Sequence, residues 1–190
     1  DGDVRWGHVA LADLPRHLVR ERIVVSDTAA MMFSGRLGTQ LDIRGRGADR
    51  VAGAMHTASA YDVLEALPDG FETEVAEKGR TFSGGQRQRL VLARALAADP
   101  EVLVLVDPTS AVDAHTEARI AERLRDARAG RTTVVTTSSP LMLDRVDLVC
   151  FVLDGRLVAE GSHEDLLDES AAYRAVVTRE VESLSEGALR

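Results

Sequence analysis

The spacing of hydrophobic residues predicts β-strands in several parts of the chain. Near the start, Val4, Trp6 and Val9 stand among polar residues, as in a half-buried strand. The apolar run at 23–25 predicts a second and more buried strand. Residues 102–106 are consecutive apolar residues, mostly β-branched, which is typical of a parallel strand covered on both faces. The Asp-Pro-Thr sequence that follows ends this run, so its side chains are expected at the carboxyl end of the strand.

Other stretches have helical spacing. Residues 48–67 are rich in alanine and close at the turn signal Pro-Asp-Gly, which predicts two short helices. Apolar residues recur at helical spacing over 86–98, until an Asp-Pro pair stops the pattern. Alternating patterns then predict a helix at 114–129, strands at 132–136 and 148–153, a hairpin strand at 156–159 and a last helical segment that begins at Ser162.

This alternation of strands and helices predicts an α/β domain with a parallel sheet, in which ligands usually bind beyond the carboxyl ends of the strands. The helical block at 48–98 is then an inserted or flanking subdomain. Composition agrees with one globular domain, since 45% of the 190 residues are apolar and 28% are charged. The net charge of −8 argues against a nucleic-acid partner, because phosphate neutralisation needs a clustered basic face.

The most specific segment for chemistry is 82–89, Phe-Ser-Gly-Gly-Gln-Arg-Gln-Arg. Gly84 and Gly85 at a helix start let backbone amides approach an anion, and Ser83 can cap the helix and donate to the same anion. This arrangement predicts a phosphate-binding site. On geometry alone, a Ser-Gly-Gly turn before a helix is as well explained by an ordinary helix cap, so the choice depends on the neighbouring segments.

Those segments resemble motifs of the ATP-binding cassette family. Residues 82–89 are similar to its signature motif, Leu-Ser-Gly-Gly-Gln, followed by a basic helix. Residues 107–113, Asp-Pro-Thr-Ser-Ala-Val-Asp, resemble the end of the Walker B strand with its D-loop, at the spacing from the signature that the family shows. The Val-Ala-Glu-Lys-Gly segment at 75–79 and the tail at 155–167 resemble the exporter branch. The resemblance extends from about Gly7 to Tyr173.

The resemblance implies a P-loop NTPase-like parallel sheet, an incomplete RecA-like core, with the α-helical subdomain of the family. Residues 1–47 would be a partial N-terminal core with the Q-loop region, and 48–98 the α-helical subdomain with the signature motif. Residues 99–190 would be the RecA-like core with Walker B, D-loop, switch region and C-terminal helices.

The family's phosphate loop, Gly-x-x-x-x-Gly-Lys-Ser/Thr, has no counterpart in this sequence. The only lysine, Lys78, lies on no glycine loop. Because the family places the loop before the strand that residues 3–9 resemble, we expect the chain to be an N-terminally truncated fragment.

The family's Walker B strand ends in Asp-Glu, of which the first carboxylate holds Mg²⁺ through water and the second polarises the attacking water. Here the pair is Val106-Asp107. An alternative register makes Asp107 the metal-site aspartate with the glutamate deleted, but the unchanged spacing from Ser83 to Pro108 favours substitution of both. Val106 cannot hold a metal, and Asp107 is a shortened, weak catalytic candidate. Loss of a general base costs about 10²–10⁴-fold in rate, so hydrolysis at this chain's own site is expected to be slow or absent.

Two more positions that the resemblance assigns to nucleotide contacts are altered. The switch histidine falls on Ser138, and the Q-loop glutamine falls on Thr28. The positions that the resemblance implies for binding ATP are Ser83, Gly84, Gly85, Gln86, Asp113, Thr28 and Ser138.

The other candidate residues are interpreted as structural. Cys150 is the only cysteine and lies in an apolar run, which predicts a buried small hydrophobe and excludes a disulfide framework. Met31 and Met32 are expected in the core or near a coupling surface. The histidines show no ligand spacing and are expected on the surface: His8, His17, His56, His115 and His163.

In the family, two such domains associate head to tail, and each ATP lies between one domain's phosphate loop and the other's signature. The resemblance therefore implies ATP and Mg²⁺ as cofactors, a transmembrane domain and a second nucleotide-binding domain as partners, and the cytoplasmic face of the cell membrane as location. The altered positions favour a heterodimer, in which this chain completes the partner's site. A non-hydrolysing regulatory module is the alternative, and the exporter-like tail disfavours a repair or translation ATPase.

Overall fold

A three-stranded parallel sheet lies at the centre of the fold. The computed structural model describes residues 2–76, 79 and 81–178. Lys78 and residues 179–190, the last part of the predicted C-terminal core region, lie outside the described residues. In chain order the elements are β1 Arg5–Trp6, β2 Val9–Ala10, α1 Arg16–Arg22, β3 Ile23–Ser26, β4 Gly35–Arg36, α2 Leu37–Leu41, α3 Ala48–Thr57, α4 Tyr61–Glu65, β5 Glu74–Val75, α5 Gly84–Ala97, β6 Val102–Val106, α6 Ala114–Ala127, β7 Thr132–Thr136, α7 Pro140–Leu143, β8 Val149–Leu153, β9 Arg156–Gly161, α8 His163–Glu169 and α9 Ala171–Thr178.

The order of the central sheet is β3-β6-β7, with all strands parallel. Antiparallel pairs surround it: β1 with β2, β4 with β5, and β8 with β9. The predicted α/β fold with a parallel sheet is confirmed. The strands at 102–106 and 132–136 have the predicted limits, and the helical block at 48–67 forms the two short helices α3 and α4. The first predicted strand is instead the short hairpin β1-β2, because Gly7 turns the chain at a positive φ of 56°.

Within the described part of the chain, the central strand is fully buried on one face and half-buried on the other, so the predicted burial of both faces is seen only in part. Leu103 and Leu105 are fully buried in a core cluster that also contains side chains of α5 and α6. The opposite face carries a row of paired residues, Val25, Val104 and Val134. Val25 is 62% exposed and Val134 is 46% exposed. An apolar sequence therefore marks both faces as suited to burial, whereas the described helices pack on one of them.

A cavity of about 1050 Å³ separates β7 from β8, and side chains of both strands line it. Cys150 lies on β8 between the buried residues Val149 and Phe151, which pack with Tyr173 and Val177. Alternation along the strand turns Cys150 toward the cavity, where it is exposed. The prediction that Cys150 is buried is therefore wrong.

The structure matches the predictions for the methionines and histidines at most positions, but not at all of them. Met32 is 1% exposed and belongs to the core, whereas Met31 is 46% exposed. His8, His17, His56 and His115 lie on the surface as predicted. His163 is half-buried, and its Nδ1 lies 2.7 Å from the hydroxyl of Tyr173. Burial raises the pKa of Tyr173 above its ordinary value, so the phenol stays protonated and available to this hydrogen bond.

The short helices α3 and α4 are attached to the longer helices α5 and α6 through arginine side chains. On α5, Arg89 forms an ion pair with Asp62 and donates to the carbonyl of Ser59. The hydrogen bond from Arg89 holds the pKa of Asp62 below its ordinary value. On α6, Arg123 donates to the carbonyl of His56 at 2.8 Å. Both contacts are made at the turn between α3 and α4, so this turn is fixed to α5 and α6 of the core.

Among the described residues, no helix has the length and apolarity needed to cross a bilayer.

A single buried arginine joins the end of α6 to the sheet. Arg128 is 7% exposed and donates to the carbonyls of Pro100, Glu101 and Thr132 at 2.8, 3.2 and 3.0 Å, and to the hydroxyl of Thr133 at 3.0 Å. These acceptors lie at the starts of β6 and β7. Arg128 thereby satisfies polar groups that would otherwise be buried without partners.

We predict that Arg128→Met destabilises the chain by about 3 kcal/mol, since it removes a charged donor and leaves several carbonyls unpaired. The matched control is Arg125→Met on the same helix, where the side chain is 58% exposed and pairs with the exposed Asp126. That variant should change stability by less than about 0.5 kcal/mol. Equilibrium urea unfolding measures both. Equal stability of the two variants would contradict the assignment.

Candidate functional site

The first turn of α5 forms a complete capping box. Ser83 is the N-cap, and its hydroxyl accepts a hydrogen bond from the amide of Gln86 at 3.2 Å. In return, the Gln86 side-chain carbonyl accepts from the amide of Ser83 at 2.9 Å. The first amides of a helix have no acceptor within the helix, so Gly84 and Gly85 present donors at its positive end. The predicted residues of the signature segment are thus brought together at one helix terminus.

The loop after β6 contains the next predicted residues. Asp107 is exposed and has a left-handed backbone with a φ of 45°, and its amide donates to the carbonyl of Thr136 on β7 at 2.8 Å. At the end of the loop, Asp113 is the N-cap of α6 and accepts from the amide of Thr116 at 3.0 Å. That hydrogen bond holds the pKa of Asp113 below its ordinary value. Asp113 therefore has a defined structural task as a carboxylate.

The first turn of α5 is in close contact with this loop. A Cβ atom on Gly85 would lie 2.7 Å from the carbonyl oxygen of Ala111, a distance that real side chains do not show. Gln88, one turn further along the helix, hydrogen-bonds to the backbone of Asp107 and Ala111 and to the hydroxyl of Ser110. Sequence reasoning assigned no role to Gln88, because its partners are 19 to 23 residues further along the chain. The sequence signal for it is a polar residue near the end of the segment 82–89.

The residues expected at this chain's own nucleotide site follow the carboxyl ends of the three parallel strands. Thr28 lies after β3 in an exposed turn closed by the bond from the amide of Ala30 to the carbonyl of Asp27. Asp107 follows β6, and Ser138 follows β7 and is also exposed. Since these strands are neighbours, the three side chains lie at one edge of the sheet.

The carboxylate that the family places at the end of the Walker B strand to hold the metal is missing from this edge. Val106 has a hydrocarbon side chain, so Asp107 has no neighbouring carboxylate at the end of β6. Within residues 2–76, 79 and 81–178, no group of three or more acidic, histidine or cysteine side chains is arranged to hold a metal. Asp27 after β3 and Asp107 after β6 are the carboxylates that directly follow the parallel strands at this edge.

Comparison with known proteins identifies the family. The model of the ABC transporter family matches residues 2–110. A multidrug efflux ATP-binding/permease protein of Mycobacterium bovis is 37% identical over 93% of this chain and 15% of its own length. The ATP-dependent lipid A-core flippase of Saccharophagus degradans is 32% identical over 90% of this chain and 30% of its own length. The structure of a bacterial Atm1-family ABC exporter with ATP bound superposes with a TM-score of 0.86 and 27% identity over 95% of this chain and 32% of that one.

A parallel sheet whose carboxyl edge meets the glycine-led start of a helix defines an α/β nucleotide-binding domain. The chain belongs to the ABC transporter family, and it is a nucleotide-binding domain of the exporter type. It spans less than a third of the length of these exporters.

We predict that the two glycines of the signature segment differ in their tolerance of a side chain. Gly85→Ala should cost about 1–3 kcal/mol, because its Cβ would overlap the carbonyl of Ala111. Gly84→Ala is the matched control, since its Cβ would lie 3.8 Å from the nearest atom, Cβ of Ala111. Its stability should be unchanged within about 1 kcal/mol. Urea unfolding gives both values, and a Gly85→Ala variant as stable as Gly84→Ala would refute the contact.

Proposed function

We propose that this chain acts in an ATP-driven exporter, where it completes the ATP site of a second nucleotide-binding domain while its own site hydrolyses ATP slowly or not at all. One observation carries the proposal. The capped start of α5 retains Ser83, Gly84, Gly85 and Gln86 in an anion-binding arrangement, whereas β6 ends without the first carboxylate of its expected pair. The chain is thus equipped to offer a half-site and poorly equipped to hydrolyse.

ATP fits the half-site because phosphate oxygens accept hydrogen bonds from helix N-terminal amides. The amides of Gly84 and Gly85 and the hydroxyl of Ser83 would bind the outer phosphate, with the helix dipole favouring its charge. The likeness to an exporter whose structure has ATP bound supports this ligand. Mg²⁺ would be held by the partner's residues, since the half-site offers mainly backbone N–H donors, which cannot bind a cation.

At the chain's own site, the altered positions act in the same direction. Val106 removes a metal ligand, Asp107 is a shortened general base, and Ser138 has no imidazole. Thr28 has a hydroxyl where the family has an amide. Because each change weakens positioning of the metal, the water or the γ-phosphate, we infer that nucleotide binds there with little turnover. This asymmetry favours a heterodimer with a catalytically complete partner.

The cavity between β7 and β8 and the uncovered row of Val25, Val104 and Val134 support a phosphate loop supplied by further polypeptide of the longer protein. A strand of that polypeptide, placed in the cavity, would pair with β7 and β8. A helix after this strand would cover the row of Val25, Val104 and Val134. The right-handed connection of such a unit brings the loop between them to the carboxyl edge of the sheet, beside Asp107.

We further infer that the chain lies at the cytoplasmic face of the cell membrane, coupled to a transmembrane domain. In the turn before β4, Met31 is 46% exposed and Phe33 is 61% exposed. Arg94 supports this turn, since it donates to the carbonyl of Met31 at 2.8 Å and lies 5.4 Å from the ring centre of Phe33. An ordered, exposed apolar pair suits contact with another domain.

The test is a charge at the half-site. Ser83→Arg, introduced into the full-length protein, should abolish ATP hydrolysis by the heterodimer, because a bulky cation would occupy the position of the phosphate. Ser162→Arg is the matched control: Ser162 is also a helix N-cap, on α8, and accepts from the amide of Asp165 at 3.1 Å. It should leave turnover within about twofold, since loss of a cap costs only about 1 kcal/mol of stability.

A regulatory module that does not complete a catalytic site is the second candidate, favoured by the altered positions Val106, Asp107 and Ser138. Under this alternative, Ser83→Arg would leave the partner's hydrolysis intact. Full activity of a homodimer of the full-length chain would contradict the slow-site part of the proposal.

We predict that restored carboxylates raise turnover at the chain's own site. The double variant Val106→Asp, Asp107→Glu is assayed with a partner whose own catalytic glutamate is replaced by glutamine. Hydrolysis should rise about tenfold or more, since metal ligand and general base return together. Asp107→Glu alone is the control and should gain less, because Val106 still provides no ligand. If the double variant shows no gain, even with Ser138→His added, the loss lies elsewhere.

A further inference from the structure

One side chain connects the signature helix with the loop that ends the Walker B strand. The Nε2 of Gln88 donates to the carbonyl of Asp107 at 2.9 Å and to the hydroxyl of Ser110 at 3.0 Å. Its Oε1 accepts from the amide of Ala111 at 2.9 Å. The loop is therefore held from both ends by a single amide group.

Only glutamine supplies this set of bonds at this position. The bridge needs two N–H donors and one acceptor at the end of a side chain of this length. Glutamate would keep the acceptor but place an anionic oxygen against the carbonyl of Asp107. Methionine has a similar length but no N–H donor. The variant Gln88→Met therefore removes the hydrogen bonds while keeping a side chain of similar size.

The contact at Gly85 makes the connection rigid. Gly85 and Gln88 lie one turn apart on the same face of α5, and both contact Ala111. The loop lies too close to α5 at Gly85 to admit a side chain, and it cannot move away without breaking the bonds of Gln88. Movement of the loop must therefore move the first turn of α5, which carries Ser83.

The peptide groups of Asp107 extend the connection to β7. The amide of Asp107 donates to the carbonyl of Thr136, while its carbonyl accepts from Gln88. A continuous set of hydrogen bonds thus runs from the strand before Ser138 to the signature helix. Gln88 also lines a small cleft with Ser26, at the end of β3, and with Val106.

We propose that Gln88 is a positioning residue that couples the loop at this chain's own nucleotide site to the half-site that the chain offers to its partner. The proposal rests on the proposed function, because it requires that Ser83 and Gln86 complete the partner's site. Gln88 itself hydrogen-bonds to protein groups, and its amide group is engaged by the loop. Its effect on hydrolysis is therefore exerted through the placement of the first turn of α5.

The experiment uses the full-length heterodimer with Gln88→Met. We expect the kcat of the partner's site to fall about fivefold or more, the scale of one or two neutral hydrogen bonds. The KM for ATP should change by less than about twofold, and the melting temperature by less than about 5 °C. Binding of a fluorescent ATP analogue at the chain's own site should be unchanged. A merely structural role would lower melting temperature, binding and turnover together.

Two further variants make the test specific. Gln88→Glu should fail to restore turnover, because it lacks both donors. Ser110→Ala removes one bond of the bridge and should reduce kcat less than Gln88→Met does. Combined with Gln88→Met it should have no further effect, since the bond is already lost. Hydrogen exchange over 108–112 should quicken in Gln88→Met, because Ala111 loses its acceptor.

The outcomes separate this proposal from the proposed function. If Ser83→Arg abolishes hydrolysis while Gln88→Met stays within twofold of the wild type, the coupling is refuted and the half-site stands. If Ser83→Arg has no effect, the proposed function itself fails. Should Gln88→Met lower the melting temperature strongly, Ser110→Ala decides: reduced kcat at unchanged melting temperature supports the bridge, and unchanged kcat refutes it.

Discussion

The approach of the first turn of α5 to the loop after β6 is the constraint on which the rest of the site depends. It is possible because Gly85 has no side chain, so the helix backbone can lie against the carbonyl of Ala111. The loop begins where β6 ends, and the register of β6 with β7 places Asp107 beside Thr136. The sheet thus fixes the loop, and the loop fixes the helix terminus.

The rest of α5 makes this terminus part of a larger rigid unit. Leu90 and Leu92 are buried in the same cluster as Leu103 and Leu105 of the central strand. The ion pair of Arg89 joins the helix to the turn after α3. Because apolar packing and polar anchors act on one helix, the helical block and the sheet share a single core, and Ser83 is positioned by both.

The sequence predicted what depends on local patterns. Strand limits at 102–106 and 132–136, the capped start of α5 and the paired short helices follow from periodicity and from turn residues a few positions apart. It failed where the answer depends on distant partners. Cys150 was expected to be buried because its neighbours are apolar, but the cavity beside β8 is set by tertiary structure. Gln88 was passed over for the same reason, since its hydrogen bonds join separate elements.

The residues of the candidate site differ in what they reveal about function. Ser83 and Asp113 cap helices and Gly85 is required by a backbone contact, so the fold alone explains each of them. Gly84 is different, because a Cβ there would meet only the Cβ of Ala111, at 3.8 Å, and alanine is the better helix former. Close approach of a ligand from outside the chain, as in the proposed function, would account for a residue without a side chain here. Gly84 therefore argues for a phosphate at this helix terminus more strongly than the serine beside it does.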